Sequence, residues 1–117
     1  MIQRIWHGWT TPENAGAYQQ LLESTIVPNI LVRAIPGLLG VDILRRRDGE
    51  GREIEFVTIM SFDDWAAVET FAGPAATASV VPESAQRLLA HYDEHSQHYE
   101  VIARQQTSAA TEEIPPT

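Results

Sequence analysis

The sequence predicts an α+β domain of order β-α-β-β-α-β, an antiparallel sheet with helices on one face, and three features point there. A strand-like opening, Ile2 to Thr10, runs straight into the helix start Thr11-Pro12-Glu13. Two further strand-like runs flank the hairpin signal Asp48-Gly49-Glu50-Gly51. A second helical region then gives way to a last strand-like run, Gln97 to Ala103.

The opening strand carries Trp6, His7 and Trp9, so bulky groups stand on both of its faces. Alternation sends Trp6 toward the helices and His7 and Trp9 the other way. Thr11 is a suitable N-cap with Pro12 in the first helical position, and Ala15, Tyr18, Leu21, Leu22 and Ile26 recur at helical spacing behind it. Pro28 is expected to kink or restart that helix before Ile35-Pro36-Gly37 turns the chain. Leu39 to Arg47 reads as the second strand and Glu53 to Phe62 as the third. Asp64 caps a short helix carrying Val68 and Phe71, stopped by Gly73-Pro74, and Pro82 opens another carrying Ala85, Leu88, Leu89 and Tyr92. This is the split arrangement of the ferredoxin-like fold.

With 117 residues the chain makes one domain, read as residues 1–104, and the Thr, Ala, Glu and Pro-rich residues 105–117 read as a disordered tail. An apolar fraction of 44% with 21% charged residues is that of a soluble globular protein, and no run approaches the ~20 apolar residues that span a bilayer. Gln3, Arg4 and His7 interrupt any signal-peptide core, so a cytoplasmic location is expected. The formal charge of −8 argues against nucleic acid and anionic membranes as partners. All the strong cations are arginines; without lysine there is no Schiff-base chemistry, and without cysteine no thiolate nucleophile.

Strand three offers Ile54, Phe56, Thr58, Met60 and Phe62 on one face and Val57 and Ile59 on the other. Two helical layers cover only one face, so the other is expected to pack on the same face of a second copy, giving a homodimer through the open sheet face.

Several segments together carry a resemblance: Arg4-Ile5-Trp6 and Gly8-Trp9-Thr10 in strand one, Ile35-Pro36-Gly37, Glu55-Phe56-Val57-Thr58, Phe71-Ala72-Gly73, and His98-Tyr99-Glu100-Val101. Over roughly residues 2–102 the chain resembles the dimeric α+β-barrel proteins that include the antibiotic biosynthesis monooxygenases. The resemblance implies a homodimer, a cleft between the sheet and its own helices, and oxidation of an aromatic or quinol-like small molecule with no cofactor, neither metal nor flavin. It equally admits a non-catalytic ligand-binding or accessory domain of the same fold. Haem-degrading members use an Asn on strand one, a Trp on the helix after strand three and a His beyond it. Here Trp6 and Phe71 fall at the first two positions and no His lies between His7 and His91, so haem degradation is not implied.

Cofactor-free oxygenation needs a dry aromatic cavity and a base or hydrogen-bond donor at the acidic position of the substrate. Trp6, Tyr18, Phe56, Thr58, Met60 and Phe71 are the candidates to line it, the alternative being that they are core residues and nothing more, and Trp65 either reaches the mouth or shields the start of its helix. His98 is the candidate catalytic base, whereas His7 is expected to make a structural hydrogen bond. His91, His95 and His98 are spaced H-x3-H-x2-H, but no acidic ligand pattern such as H-E-x-x-H accompanies them, and a solvated helix end is expected rather than a metal site. Arg45-Arg46-Arg47 reads as charge protecting an edge strand, and residues 72–81, rich in small side chains, read as a lid or a plain connection.

Overall fold

The computed structural model describes residues 1–49 and 51–107. Glu50 of the expected hairpin turn and most of the expected tail, residues 108–117, lie outside the described residues. The elements run β1 (Ile2–Thr10), α1 (Pro12–Leu21), a π-helical turn (Leu22–Ile26), α2 (Val27–Leu31), β2 (Leu38–Arg45), β3 (Ile54–Phe62), α3 (Trp65–Ala72), α4 (Glu83–Gln86), β4 (Leu89–Tyr92) and β5 (Gln97–Glu100). The sheet is antiparallel throughout, in the order β2-β3-β1-β4, with β5 also on β1. Helices cover one face of it, which is the ferredoxin-like α+β fold.

The central pair is β1 with β3, in register from Ile2 opposite Phe62 to Thr10 opposite Ile54. Alternation then decides what each residue meets. Phe56, Met60 and Phe62 are buried under the helices together with Arg4 and Thr10, while His7, Trp9, Val57 and Ile59 face the other way. Edge strand β2 ends in the arginine run, whose side chains part as expected: Arg45 reaches Gln19 (3.0 Å) on the helix side and Arg46 reaches Asp48 and Glu55.

Capping follows the local chemistry. Thr11 Oγ1 accepts from the Asn14 amide, and Asp64 Oδ1 accepts from the Ala67 amide at 3.0 Å. Pro28 does not break the first helix. Lacking an N–H and crowding the carbonyl four residues back, it is accommodated by the wider turn at Leu22–Ile26, and the chain continues as α2. Gly37, at φ +87° with the Ala67 Cβ only 2.8 Å from where its own Cβ would stand, lets the chain pass under α3 into β2.

One element departs from the expectation. Leu88, Leu89 and Tyr92 are not helical: α4 stops at Gln86 and Leu89–Tyr92 is a strand. The free edge of β1 explains this, because its backbone donors and acceptors need partners and a nearby extended segment supplies them. Leu89 still packs into the cluster of Tyr18, Phe56 and Ala85, so the apolar residues that suggested helix reach the same core from a strand. The last strand also ends earlier than expected, at Glu100.

The β1 edge is therefore shared. β4 pairs with Gly8–Thr10 and β5 with Ile2–Ile5, and between them residues 93–96 leave the sheet after the Asp93 amide bonds the His7 carbonyl (2.9 Å). That interruption in the edge is where the candidate site forms. Among the described residues no helix is long and apolar enough to cross a membrane.

Candidate functional site

A cavity of about 70 Å3 lies between the sheet and the helices. Its floor is Arg4 and Trp6 of β1, Thr58 and Met60 of β3 and Val41 of β2. Tyr18 of α1, Leu22 and Ile26 of the π-helical turn and Phe71 of α3 form walls, so the widened turn at Pro28 faces the cavity. Val80, Val81 and Pro82, from the connection between α3 and α4, cover it beside Ser96.

Trp6 is held by its indole Nε1, which donates to the Asp93 carbonyl at 2.8 Å, and by packing on Tyr92 with ring centroids 5.8 Å apart. The interrupted edge strand thus supplies the acceptor that orients the largest wall of the cavity. Gly8 makes room for it, since a Cβ there would stand 2.8 Å from the indole ring. Ser79 donates to the same Asp93 carbonyl (2.6 Å), tying the cover to the same loop.

Arg4 is the residue that sequence reasoning passed over. It is 3% exposed, on a central strand, and makes no ion pair with any carboxylate among the described residues. Its Nη1 donates to the Ala76 carbonyl and to His98 Nε2 (3.0 Å), and its Nη2 donates to the Ala78 carbonyl (2.9 Å). Its carbon lies 5.5 Å from the centre of the Phe71 ring. Burial lowers its pKa below the ordinary guanidinium value, yet a guanidinium remains cationic in a protein. The signal was present in the alternation: position 4 shares its face with Trp6, Gly8 and Thr10, an inward charge on a strand facing apolar helices.

His98 does not border the cavity and meets it through Arg4, its partner in the β1–β5 register. Arginine can only donate, so Nε2 of His98 accepts and its proton sits on Nδ1. Burial, and then the charge of Arg4, hold the imidazole pKa below 6.5. A depressed pKa means that the unfolded chain binds this proton more readily than the folded one. Stability contributed by neutral His98 is therefore complete above about pH 6.5 and is lost as the pH falls from there through the lowered folded value. Urea midpoints of the wild type and His98→Gln, measured from pH 7.5 to 5, are expected to show the wild type losing more stability over that range; parallel curves would contradict the assignment.

Of the other expected site residues, Trp6, Tyr18, Thr58, Met60 and Phe71 are brought together around the cavity. Burial pushes the Tyr18 phenol far above its ordinary pKa, so it stays protonated. Phe56 is fully buried behind Tyr18, in an edge-to-face contact at 5.0 Å, and does not reach the cavity. Trp65 is 40% exposed and packs edge-to-face on the His98 ring at 4.9 Å, outside the lining. The remaining histidines part company. His7 bonds Asp93 (2.8 Å), as its expected structural role requires, and His91 stacks on Trp9 at 4.5 Å while meeting Glu53 at 2.6 Å. His91 thus belongs to β4 and the open face of the sheet rather than to a helix end.

No protein-family model matches the sequence, and the curated proteins contain no match to it. Several solved structures are similar, two of them as follows. One is a mutant of MhuD with two manganese protoporphyrin IX molecules bound per active site, at 21% identity and a TM-score of 0.57, covering 92% of this chain and all of that one. Another is an ethyl tert-butyl ether D family protein from Bacillus halodurans C-125, at 19% identity and a TM-score of 0.52, covering 87% of this chain and all of that one. At these identities the likeness is one of fold alone, the ferredoxin-like α+β arrangement.

Proposed function

We propose that this chain is a cofactor-independent monooxygenase of the antibiotic biosynthesis monooxygenase type, acting in the cytoplasm as a homodimer on an aromatic or quinol-like small molecule. The observation that carries the reading is the cavity: Trp6, Tyr18, Met60 and Phe71 present an apolar, ring-lined wall, and Arg4, Thr58 and Ser96 bring a few polar groups to it. With its 80–82 cover displaced to admit a ring, such a space would keep water from a reactive carbanion and hold the ring against the sheet. In the reaction, a substrate CH2 group becomes a carbonyl. One atom of O2 enters the product and the other leaves as water, with the electrons drawn from the substrate itself. The porphyrin bound by the MhuD mutant supports a small-molecule role for this fold, although a cavity of about 70 Å3 suits a smaller guest.

The dimer reading rests on the open sheet face, where Val57, Ile59, Trp9 and the 43% exposed Leu44 stand with no layer over them among the described residues. Light scattering on the purified protein is expected to give twice the chain mass.

Oxygen uptake over a panel of anthrones and hydroquinones, with and without chelator, tests the activity. Uptake that a chelator leaves unchanged is the expected result. Saturable ligand binding without uptake would favour the second reading, a non-catalytic ligand-binding domain.

A further inference from the structure

We infer that the ligand of this cavity is an aromatic molecule with an ionised hydroxyl, a phenolate or enolate, whose oxyanion docks on Arg4; the inference rests on the cavity being a ligand site. Arg4 is the one charged side chain that borders the cavity among the described residues, and Tyr18, held protonated, is the other titratable one. Arginine is rarely buried to this extent unless an anion accompanies it, because removing a charge from water is costly. The partners of Arg4 are two carbonyls and a neutral imidazole. They satisfy hydrogen bonds and leave the positive charge uncompensated.

The donor count points the same way. A guanidinium has five N–H groups, and the three bonds made here leave Nε and one hydrogen of Nη2 without partners among the described residues. His98, whose acceptor nitrogen faces Arg4 from β5, fixes the guanidinium in place and adds no negative charge. An oxyanion at the cavity end of Arg4 would take up the free donors and the charge together, while its ring lies against Trp6, Phe71 and Met60. On binding, the hydroxyl O–H bond breaks, the electron pair stays on oxygen and the proton passes to solvent. Arg4 thereby favours the electron-rich form of the ligand that a reaction with O2 requires.

Size bears on the probe. A cavity of about 70 Å3 is small beside the ~150 Å3 that accommodates benzene, so even a single ring needs the 80–82 cover to yield. Arg4 is also the anchor of that cover, since it donates to the carbonyls of Ala76 and Ala78 just ahead of it.

The test uses 4-nitrophenol, whose ionised form is read by its visible absorbance, and 4-nitrotoluene as a neutral molecule of nearly the same shape. Both are titrated into the wild-type protein and into Arg4→Met, with quenching of the tryptophan emission as the binding signal. The expected result is that bound nitrophenol ionises at a pH about one or more below its free value and binds about tenfold or more tighter than nitrotoluene. Arg4→Met is expected to abolish both differences. Equal binding of the two probes, with the bound nitrophenol pKa unchanged or raised, would overturn the inference and leave the ligand site standing. Binding of neither would overturn the site reading itself. The wild-type spectra decide between these outcomes even if the variant does not fold.

Discussion

Phe56→Ala is expected to lower the unfolding free energy by about 3–5 kcal/mol. Phe56 is fully buried on central strand β3, with Tyr18 edge-on at 5.0 Å on one side and the Arg45 guanidinium 5.6 Å from its ring centre. It joins the sheet to α1 in the cluster that includes Leu22 and Ala85, so the substitution leaves a hole between layers that cannot easily close. It also removes an aromatic pair worth about 0.5–1.5 kcal/mol beyond its area. Against a total of about 5–15 kcal/mol for a domain, that is a large fraction. Urea denaturation is the measurement, and a loss below about 1.5 kcal/mol would show that the layers collapse onto one another. Because Tyr18 rests on Phe56 and borders the cavity, ligand affinity should fall with stability.

Arg4→Met is expected to act locally. Methionine keeps the length and apolar stem of the side chain but no donor, so the carbonyls of Ala76 and Ala78 lose their partner. Each hydrogen bond to a charged group is worth about 1.5–3 kcal/mol, offset in part by release from burying the charge. The cover should therefore open about 10- to 100-fold more often. Three amides report on it: Ser96, bonded to the Thr77 carbonyl, Ser79, bonded to the Glu94 carbonyl, and Ala78, bonded to the Ala75 carbonyl. Hydrogen exchange at these should quicken while the β1–β3 amides keep their protection. Uniform acceleration throughout would mean that Arg4 stabilises the whole fold rather than the cover.

Much of this was legible in the chain. Alternation along Ile54–Phe62 separated the helix-facing Phe56, Thr58, Met60 and Phe62 from Val57 and Ile59, because a strand has a period of two whatever surrounds it. The caps at Thr11 and Asp64 were legible for a similar reason, each being a bond across three residues. Five of the candidate lining residues meet at the cavity because face and element were enough to place them. Phe56 and Trp65 were misplaced relative to the cavity because face alone does not say which inward residue reaches the space and which lies behind another. Leu89–Tyr92 was misread because a four-residue apolar segment has no decisive period, and the free edge of β1 chose its conformation.

By itself the sequence determined the order of the elements from β1 to α4, the two faces of each long strand and the helix starts, all of which follow from contacts between near neighbours. Only the tertiary structure decided the site. The partners of Arg4 lie 72 to 94 residues away, and Asp93, which orients Trp6, lies 87 away. Bonds of that span have no periodic trace in a sequence, since they exist only after the β1 edge has been shared between two short strands and the loop between them has turned inward.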